Sequence, residues 1–249
     1  MKKYGFLLVV LFALLVLAGC SDNELHNSGL QSNECDNANN PDNGSVTDVD
    51  FEALALKIED VSPRDWFFRY VVAGLRYGLI TIDNSENRRF EPDRYVTQGE
   101  FITMLGRLHE YGHGIIGTEN CDPNYEMYIE WALEMGIAHK NRYWDLMPHE
   151  YITREQKAMI VHYYIEHLDL WDYFLHEYFL TMAYFWDANE MSDWAQLPIE
   201  RLRLRLLIYG RYGMYYKPHA FISHAEALAI LSSVGSAVYD LVHPLRSSH

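Results

Sequence analysis

The sequence predicts an all-α protein built from three helix–loop–helix repeats. Three observations predict it. A unit running from Pro to a helix start recurs three times at identical offsets. Each copy carries a capping box, Thr or Ser followed three residues later by Glu or Gln, which opens a helix. Apolar residues then follow at helical spacing.

The first unit is Phe90-Glu91-Pro92, then Tyr95-Val96-Thr97 and Glu100. The second is Leu146-Met147-Pro148, then Tyr151-Ile152-Thr153 and Gln156; the third is Tyr216-Lys217-Pro218, then Phe221-Ile222-Ser223 and Glu226. The cap oxygen accepts from a free backbone N–H of the first turn, and the acid or amide returns a bond to the cap residue. Pro holds the approach extended. The apolar faces that follow are Phe101, Ile102, Met104, Leu105 and Leu108, then Ala158, Met159, Ile160, Val161 and Tyr164, then Ala227, Leu228, Ile230, Leu231 and Val234.

A second helix precedes each Pro. In the first repeat Ser62-Pro63 is its expected start, Trp66, Phe67, Tyr70, Val71 and Leu75 its apolar face, and Gly78 its end. In the second repeat it spans Tyr125 to Met135 and ends at Gly136-Ile137. In the third, Arg201 to Leu206 alternates with period two, which favours a strand. The phase of the repeat demands a helix, and helix is the expectation. Thr97 and Thr153 are 56 residues apart, Thr153 and Ser223 70 apart. The excess falls at Asp169 to Trp186, an aromatic-rich insertion read as an elongated helix on the core, with a carbohydrate-stacking or partner surface as the alternative.

The N-terminal stretch carries Lys2 and Lys3, then an apolar run from Phe6 to Leu17, too short to span a bilayer comfortably and suited to a signal-peptide core. It ends in Leu17-Ala18-Gly19-Cys20, which resembles a bacterial lipobox. That resemblance implies cleavage before Cys20 and its diacylation, giving a membrane anchor rather than a span. An ordinary secretory signal with a chance Cys is the alternative. From Ser21 to Asp50 there are seven Asp/Glu, seven Asn, no Lys or Arg and no aromatic residue, a composition that cannot offset its ordering entropy. It reads as a tether. Cys35 and Cys121 remain as a pair too sparse to make a disulfide framework, and no Cys-x-x-Cys zinc spacing occurs.

The formal net charge is −15. This makes nucleic acid a poor partner, since affinity for it comes from Lys and Arg on phosphates. Anionic wall polymers would be repelled at long range, so binding to them would have to come from local cationic or hydrogen-bonding pockets.

The repeats resemble the S-layer homology (SLH) family. The resemblance rests on Ile58-Glu59-Asp60-Val61 through Trp66, Gly78-Leu79, Phe90-Glu91-Pro92 and Val96-Thr97-Gln98-Gly99-Glu100 in the first repeat. In the second it rests on Trp131 to Ile137 and Ile152-Thr153-Arg154-Glu155, and in the third on Phe185-Trp186-Asp187, Trp194-Ala195 and Ile222 to Glu226. It covers residues 51–236 and implies a pseudo-threefold bundle that attaches a protein to secondary cell-wall polymer linked to peptidoglycan. The implied organisation is a lipoprotein signal peptide at 1–19, lipidated Cys20 and an acidic tether to 50, and repeats at 51–110, 111–168 and 169–236. A tail follows at 237–249. The implied glycan-binding residues are Asp60, Trp66, Arg154, Asp187 and Trp194, with Arg clamping a sugar carboxylate and an indole stacking on a ring. The chain departs from the family pattern in five places. The motif Arg is Gln98 in the first repeat and His224 in the third. Gln156 holds the box position of the second. Leu206 stands for an expected Gly, and Asp122 for the missing opening Asp of the second repeat. Arg201, Arg203, Arg205 and Arg211 could replace the lost cations, or form a solvated helix face.

His109-Glu110-Tyr111-Gly112-His113 satisfies the H-E-x-x-H spacing of zinc peptidases, with Glu130 or Glu134 as a third ligand. Gly112 and Gly114 end the helix there, and Glu134 already belongs to the repeat pattern. The expectation is therefore a non-enzymatic binding module at the cell surface, without cofactor or metal. A degenerate scaffold that recruits an envelope protein and an envelope metallopeptidase are the alternatives.

Overall fold

The chain divides into two units, Met1–Gly44 and Ser45–His249. The computed structural model describes residues 49–80, 88–112, 125–138, 145–174, 184–210 and 214–242, all within the second unit. Cys20, Cys35, Cys121, Asp122, His113 and Arg211 lie outside the described residues.

The described residues are helical. The helices are α1 (Phe51–Ala55), α2 (Phe68–Arg76), α3 (Gln98–Gly112), α4 (Tyr125–Glu134), α5 (Arg154–His167), α6 (Asp193–Leu204) and α7 (His224–Val242). A 3₁₀ turn at Ala188–Glu190 precedes α6. Among these residues β-pairing is confined to isolated bridges.

Each expected cap opens a helix. Thr97 Oγ1 accepts from Glu100 N at 3.2 Å, and Glu100 Oε2 accepts from Thr97 N at 2.8 Å. Thr153 and Gln156 repeat this at 3.3 and 2.9 Å, and Ser223 and Glu226 at 3.3 and 3.1 Å. Gly78 and Gly136, at φ +66° and +68°, end the preceding helices in left-handed turns. Leu206 adopts the same turn at φ +56°, so the fold imposes here a conformation that the sequence does not favour. Residues 201–204 belong to α6: the tertiary phase overrides their period-two alternation.

Two expectations are corrected. The first-repeat helix starts at Phe68 rather than at Ser62-Pro63. Asp65 takes the Ser62 N–H at 2.7 Å and donates its own N–H back to Ser62 at 2.9 Å, closing a separate turn that delays the helix. The aromatic insertion does not prolong α5. That helix ends at His167, and Asp169 turns back at φ +55°, which drives Leu170, Trp171 and Phe174 into the core. Residues 175–183 of the insertion lie outside the described ones. Helix α3 ends at Gly112, where the sequence places its end, and α7 runs to Val242.

The three Pro-to-helix units are joined to one another in a closed ring. Val96 N donates to Ile222 O, Ile222 N to Ile152 O, and Ile152 N to Val96 O, at 3.0–3.2 Å. The bridges Tyr95–Ser223, Thr97–Tyr151 and Thr153–Phe221 complete it. Tyr95, Tyr151 and Phe221 meet edge to face over this ring, with centroids 5.4–5.6 Å apart. Each helix start is also tied to the next unit's Pro turn: Gly99 N to Pro148 O, Glu155 N to Pro218 O and Ala225 N to Pro92 O. These bonds satisfy first-turn N–H groups that a helix cannot satisfy itself. Below the ring, Phe101, Ile102, Leu105, Ile160, Tyr164, Leu228 and Leu231 form one buried core. Helix α3 packs on α4 and α7, α2 on α1 and α7, and α5 on α6. The α3–α4 approach is close enough that a Cβ on Gly106 would fall 2.2 Å from the Tyr128 ring. No described helix is long and apolar enough to cross a membrane.

Candidate functional site

The motif position after each cap acts between repeats. Arg154 is 4% exposed. Its Nε donates to Tyr216 O at 2.6 Å, its Nη2 to Tyr209 O at 2.8 Å, and its Nη1 to Glu226 Oε1 at 3.2 Å. The guanidinium also lies over the Tyr216 ring at 4.8 Å, and Tyr216 Oη donates to Arg154 O. His224, at the matching place in the third repeat, donates from Nδ1 to Phe90 O at 2.8 Å and stacks on the Phe90 ring. Burial holds its imidazole below the usual pKa, against an upward pull from the Phe90 carbonyl. Gln98, in the first repeat, accepts from Met147 N at 2.9 Å. Arg, His and Gln thus do one job, fastening the neighbouring Pro turn.

Asp60 and Asp187 share another. Asp60 accepts from Phe90 N and Glu91 N at 2.7 and 2.8 Å. Asp187 accepts from Tyr216 N and Lys217 N at 2.8 and 2.6 Å. Glu91 and Lys217 both stand at positive φ, 54° and 56°, so each carboxylate secures a strained turn just before Pro. The second repeat lacks this Asp among its described residues, and Gln98 supplies the bond to the matching N–H of Met147. Of the five carried-over glycan residues, Asp60, Arg154 and Asp187 therefore have their polar atoms committed within the protein. Trp194 is half-buried against the core. Trp66 is 59% exposed and stacks edge-on against Phe67 and Tyr70. Arg154 and Asp187 meet at Tyr216, bonding its O and its N–H respectively, while Asp60 holds the Phe90 turn.

Of the replacement arginines, the three described ones are engaged too. Arg201 pairs with Glu166 at 2.7 Å, and Arg201 and Arg205 each lie 4.6 Å from the Trp171 ring. Arg203 pairs with Glu200. In the H-E-x-x-H segment, His109 Nδ1 stands 3.4 Å from Tyr164 Oη and its ring packs on Trp131. Glu110 accepts from Tyr128 Oη at 3.0 Å. Among the described residues no group of three or more His, Cys, Asp or Glu is placed to hold a metal ion.

A cleft of about 380 Å³ opens where the three units meet along the start of α3. Its apolar lining includes Leu79, Ile80, Val96 and Met104, beside Gly99, and its polar lining includes Arg94, Thr97, Glu100, Thr103, Arg107, His149 and His224. Glu100 is held by the Thr97 N–H and by Arg94 Nη1 at 2.7 Å. Thr103 Oγ1 donates to Gly99 O. No other described residue pairs with Arg107 by hydrogen bond or ion pair. In a strongly acidic chain this cleft gathers the Arg94 and Arg107 guanidiniums against the Glu100 carboxylate, with Arg94 paired to Glu100 at 2.7 Å and to Glu91 at 3.7 Å and His224 held toward its neutral form. It suits a small polar ligand carrying negative charge.

The sequence reading missed Arg107, Arg94, Gly99, Thr103 and His149. A signal was available in the internal alignment. Gly99 falls opposite Glu155 and Ala225, Thr103 opposite Met159 and Ala229, and Arg107 opposite Tyr163 and Ser233. Gly99 and Thr103 are smaller than Glu155 and Met159, and Arg107 is the one cation among the three residues at its position.

No protein-family model matches the chain. The chain is similar to an endoglucanase of Bacillus sp. (strain KSM-635), at 23% identity over 188 residues. The alignment takes in 72% of this chain and 19% of that enzyme, so the chain spans about a fifth of its relative's length.

Proposed function

We propose that the chain is a lipid-anchored, SLH-like module of the cell envelope, with a pseudo-threefold helical bundle that holds acidic wall polymer in the Arg107 cleft. The observation that supports this reading is the closed ring of backbone bonds through Val96, Ile152 and Ile222, the pairing expected of three like units around one axis. The cleft lies at the seam between units, where a polymer end is reachable. Its local positive charge meets the requirement set by a net charge of −15. A match confined to a fifth of an endoglucanase fits a module carried by a larger enzyme better than it fits a catalytic domain. No enzymatic activity is assigned. Lipidation at Cys20 rests on the Leu17-Ala18-Gly19-Cys20 pattern.

The test is retention on purified wall sacculi, before and after the attached polymer is stripped. Polymer-dependent retention, weakened at least tenfold by Arg107→Ala without a change in melting, is the expected result. Retention indifferent to stripping refutes wall attachment. In that case the exposed Tyr95, Tyr151 and Phe221 cluster favours the scaffold with a protein partner.

A further inference from the structure

His162 is a buried imidazole whose Nδ1 has no hydrogen-bond partner. Buried polar atoms are nearly always paired, so this one needs a reason. The architecture does not require it. His162 stands nine residues past its cap, where Gly106 and Ser232 stand in the first and third repeats. Its ring packs on Trp171 of the aromatic insertion, with centroids 5.1 Å apart. Trp171 is itself held by charged groups. Its Nε1 donates to Glu166 Oε2 on α5, and the Arg201 and Arg205 guanidiniums at the end of α6 each stand 4.6 Å from its ring. Arg201 pairs with Glu166 at 2.7 Å. The charged groups facing His162 are therefore Glu166 on its own helix, Arg201 and Arg205 from α6, and Asp172 of the insertion, which faces Arg205. Burial comes first and the two guanidiniums add to it, lowering the pKa of the ring to about 4 against the pull of Glu166. The segment bearing Trp171 leaves α5 at Asp169, φ +55°, with Leu170 N donating to Ile165 O at 3.0 Å and Tyr173 Oη to Asp240 on α7 at 2.9 Å.

We propose that His162 and Trp171 form an acid-operated latch, in which proton uptake by the imidazole releases Trp171 and segment 169–174 from α5 and α6 while the rest of the bundle stays folded. Closed, the latch keeps the ring neutral between a tryptophan and two cations. Open, it admits water to Nδ1, and the ring titrates as an exposed histidine near pH 6.5. As pH falls the open form takes up the proton first, so the ratio of open to closed rises about 30-fold between pH 7.5 and 5. Glu166 stays charged over that window, since the Trp171 hydrogen bond above all, with Arg201, holds its carboxyl below the usual range. Such an opening involves one segment and the helices it touches, which is the scale on which proteins open locally.

Amide hydrogen exchange on the full chain, purified in detergent, tests the latch. Rates at pH 7.5 and 5 are corrected for intrinsic exchange and measured over a range of urea too low to unfold the protein. The Leu170 amide reports on the latch, and the Ile152 amide, which donates to Val96 O in the ring, reports on global unfolding. In wild type the Leu170 opening constant should rise about 30-fold from pH 7.5 to 5 and barely respond to urea, while exchange at Ile152 rises steeply with urea. His162→Phe should remove the pH response at Leu170. His162→Gln repeats the test with a neutral polar side chain in case phenylalanine does not fit. Exchange at Leu170 that follows Ile152 in its urea dependence shows that the segment opens only with the whole bundle and overturns the inference. An equal pH response at Leu170 in the folded variants assigns the proton to another group and overturns it as well.

Discussion

Replacing Arg154 by Met separates a clamp from a ligand contact. Methionine keeps the aliphatic stem over the Tyr216 ring and removes every donor. Three donations disappear, to Tyr216 O, Tyr209 O and Glu226 Oε1. Glu226 keeps its bond from Ser223 N, so the α7 cap survives. The two carbonyls lose their partners at a site where Arg154 is 4% exposed. A charged hydrogen bond contributes about 1.5–3 kcal/mol, and removing one partner of a buried pair costs about 3–5 kcal/mol. A loss of about 3–5 kcal/mol is expected, equivalent to a fall in Tm of roughly 6–20 °C for a domain of this size. Urea and thermal melts followed by circular dichroism measure it. Sacculus retention, read well below the lowered Tm, should match wild type, because Arg154 does not line the cleft. A variant as stable as wild type that no longer binds polymer would refute the reasoning and make Arg154 a ligand contact.

Three further outcomes follow from the structure. Leu206 stands at φ +56° with its side chain 48% exposed, so Leu206→Gly should stabilise the protein by up to about 1 kcal/mol in urea melts. Gly106→Ala should destabilise it by about 1–3 kcal/mol, read as a lower Tm, because the new methyl meets the Tyr128 ring that α4 holds against α3. His162 is 5% exposed, its Nδ1 has no hydrogen-bond partner, and burial, aided by Arg201, lowers its pKa to about 4. The fold therefore favours the neutral ring, and the unfolded chain takes up the proton first as pH falls. The stability this gives is complete above about pH 6.5 and lost as pH drops toward 4, about 2 kcal/mol between pH 7.5 and 5. Urea midpoints at those two pH values should lie closer together in His162→Phe than in wild type.

What the sequence determined by itself was local and periodic. Thr97, Thr153 and Ser223 declare helix starts through atoms within three residues, and Gly78 and Gly136 declare helix ends through their own backbone freedom. Those signals need no partner, so they are readable before any fold is known. Tertiary structure decided everything that depends on which repeat faces which. It turned Arg201 to Leu204 into helix against their alternation and forced Leu206 into a glycine's conformation. It committed Asp60, Asp187 and Arg154 to fastening Pro turns some 30 to 60 residues away. The cleft was hidden for the same reason. Gly99, Arg107 and His149 come from two different units, and only closure of the ring sets them side by side along the cleft.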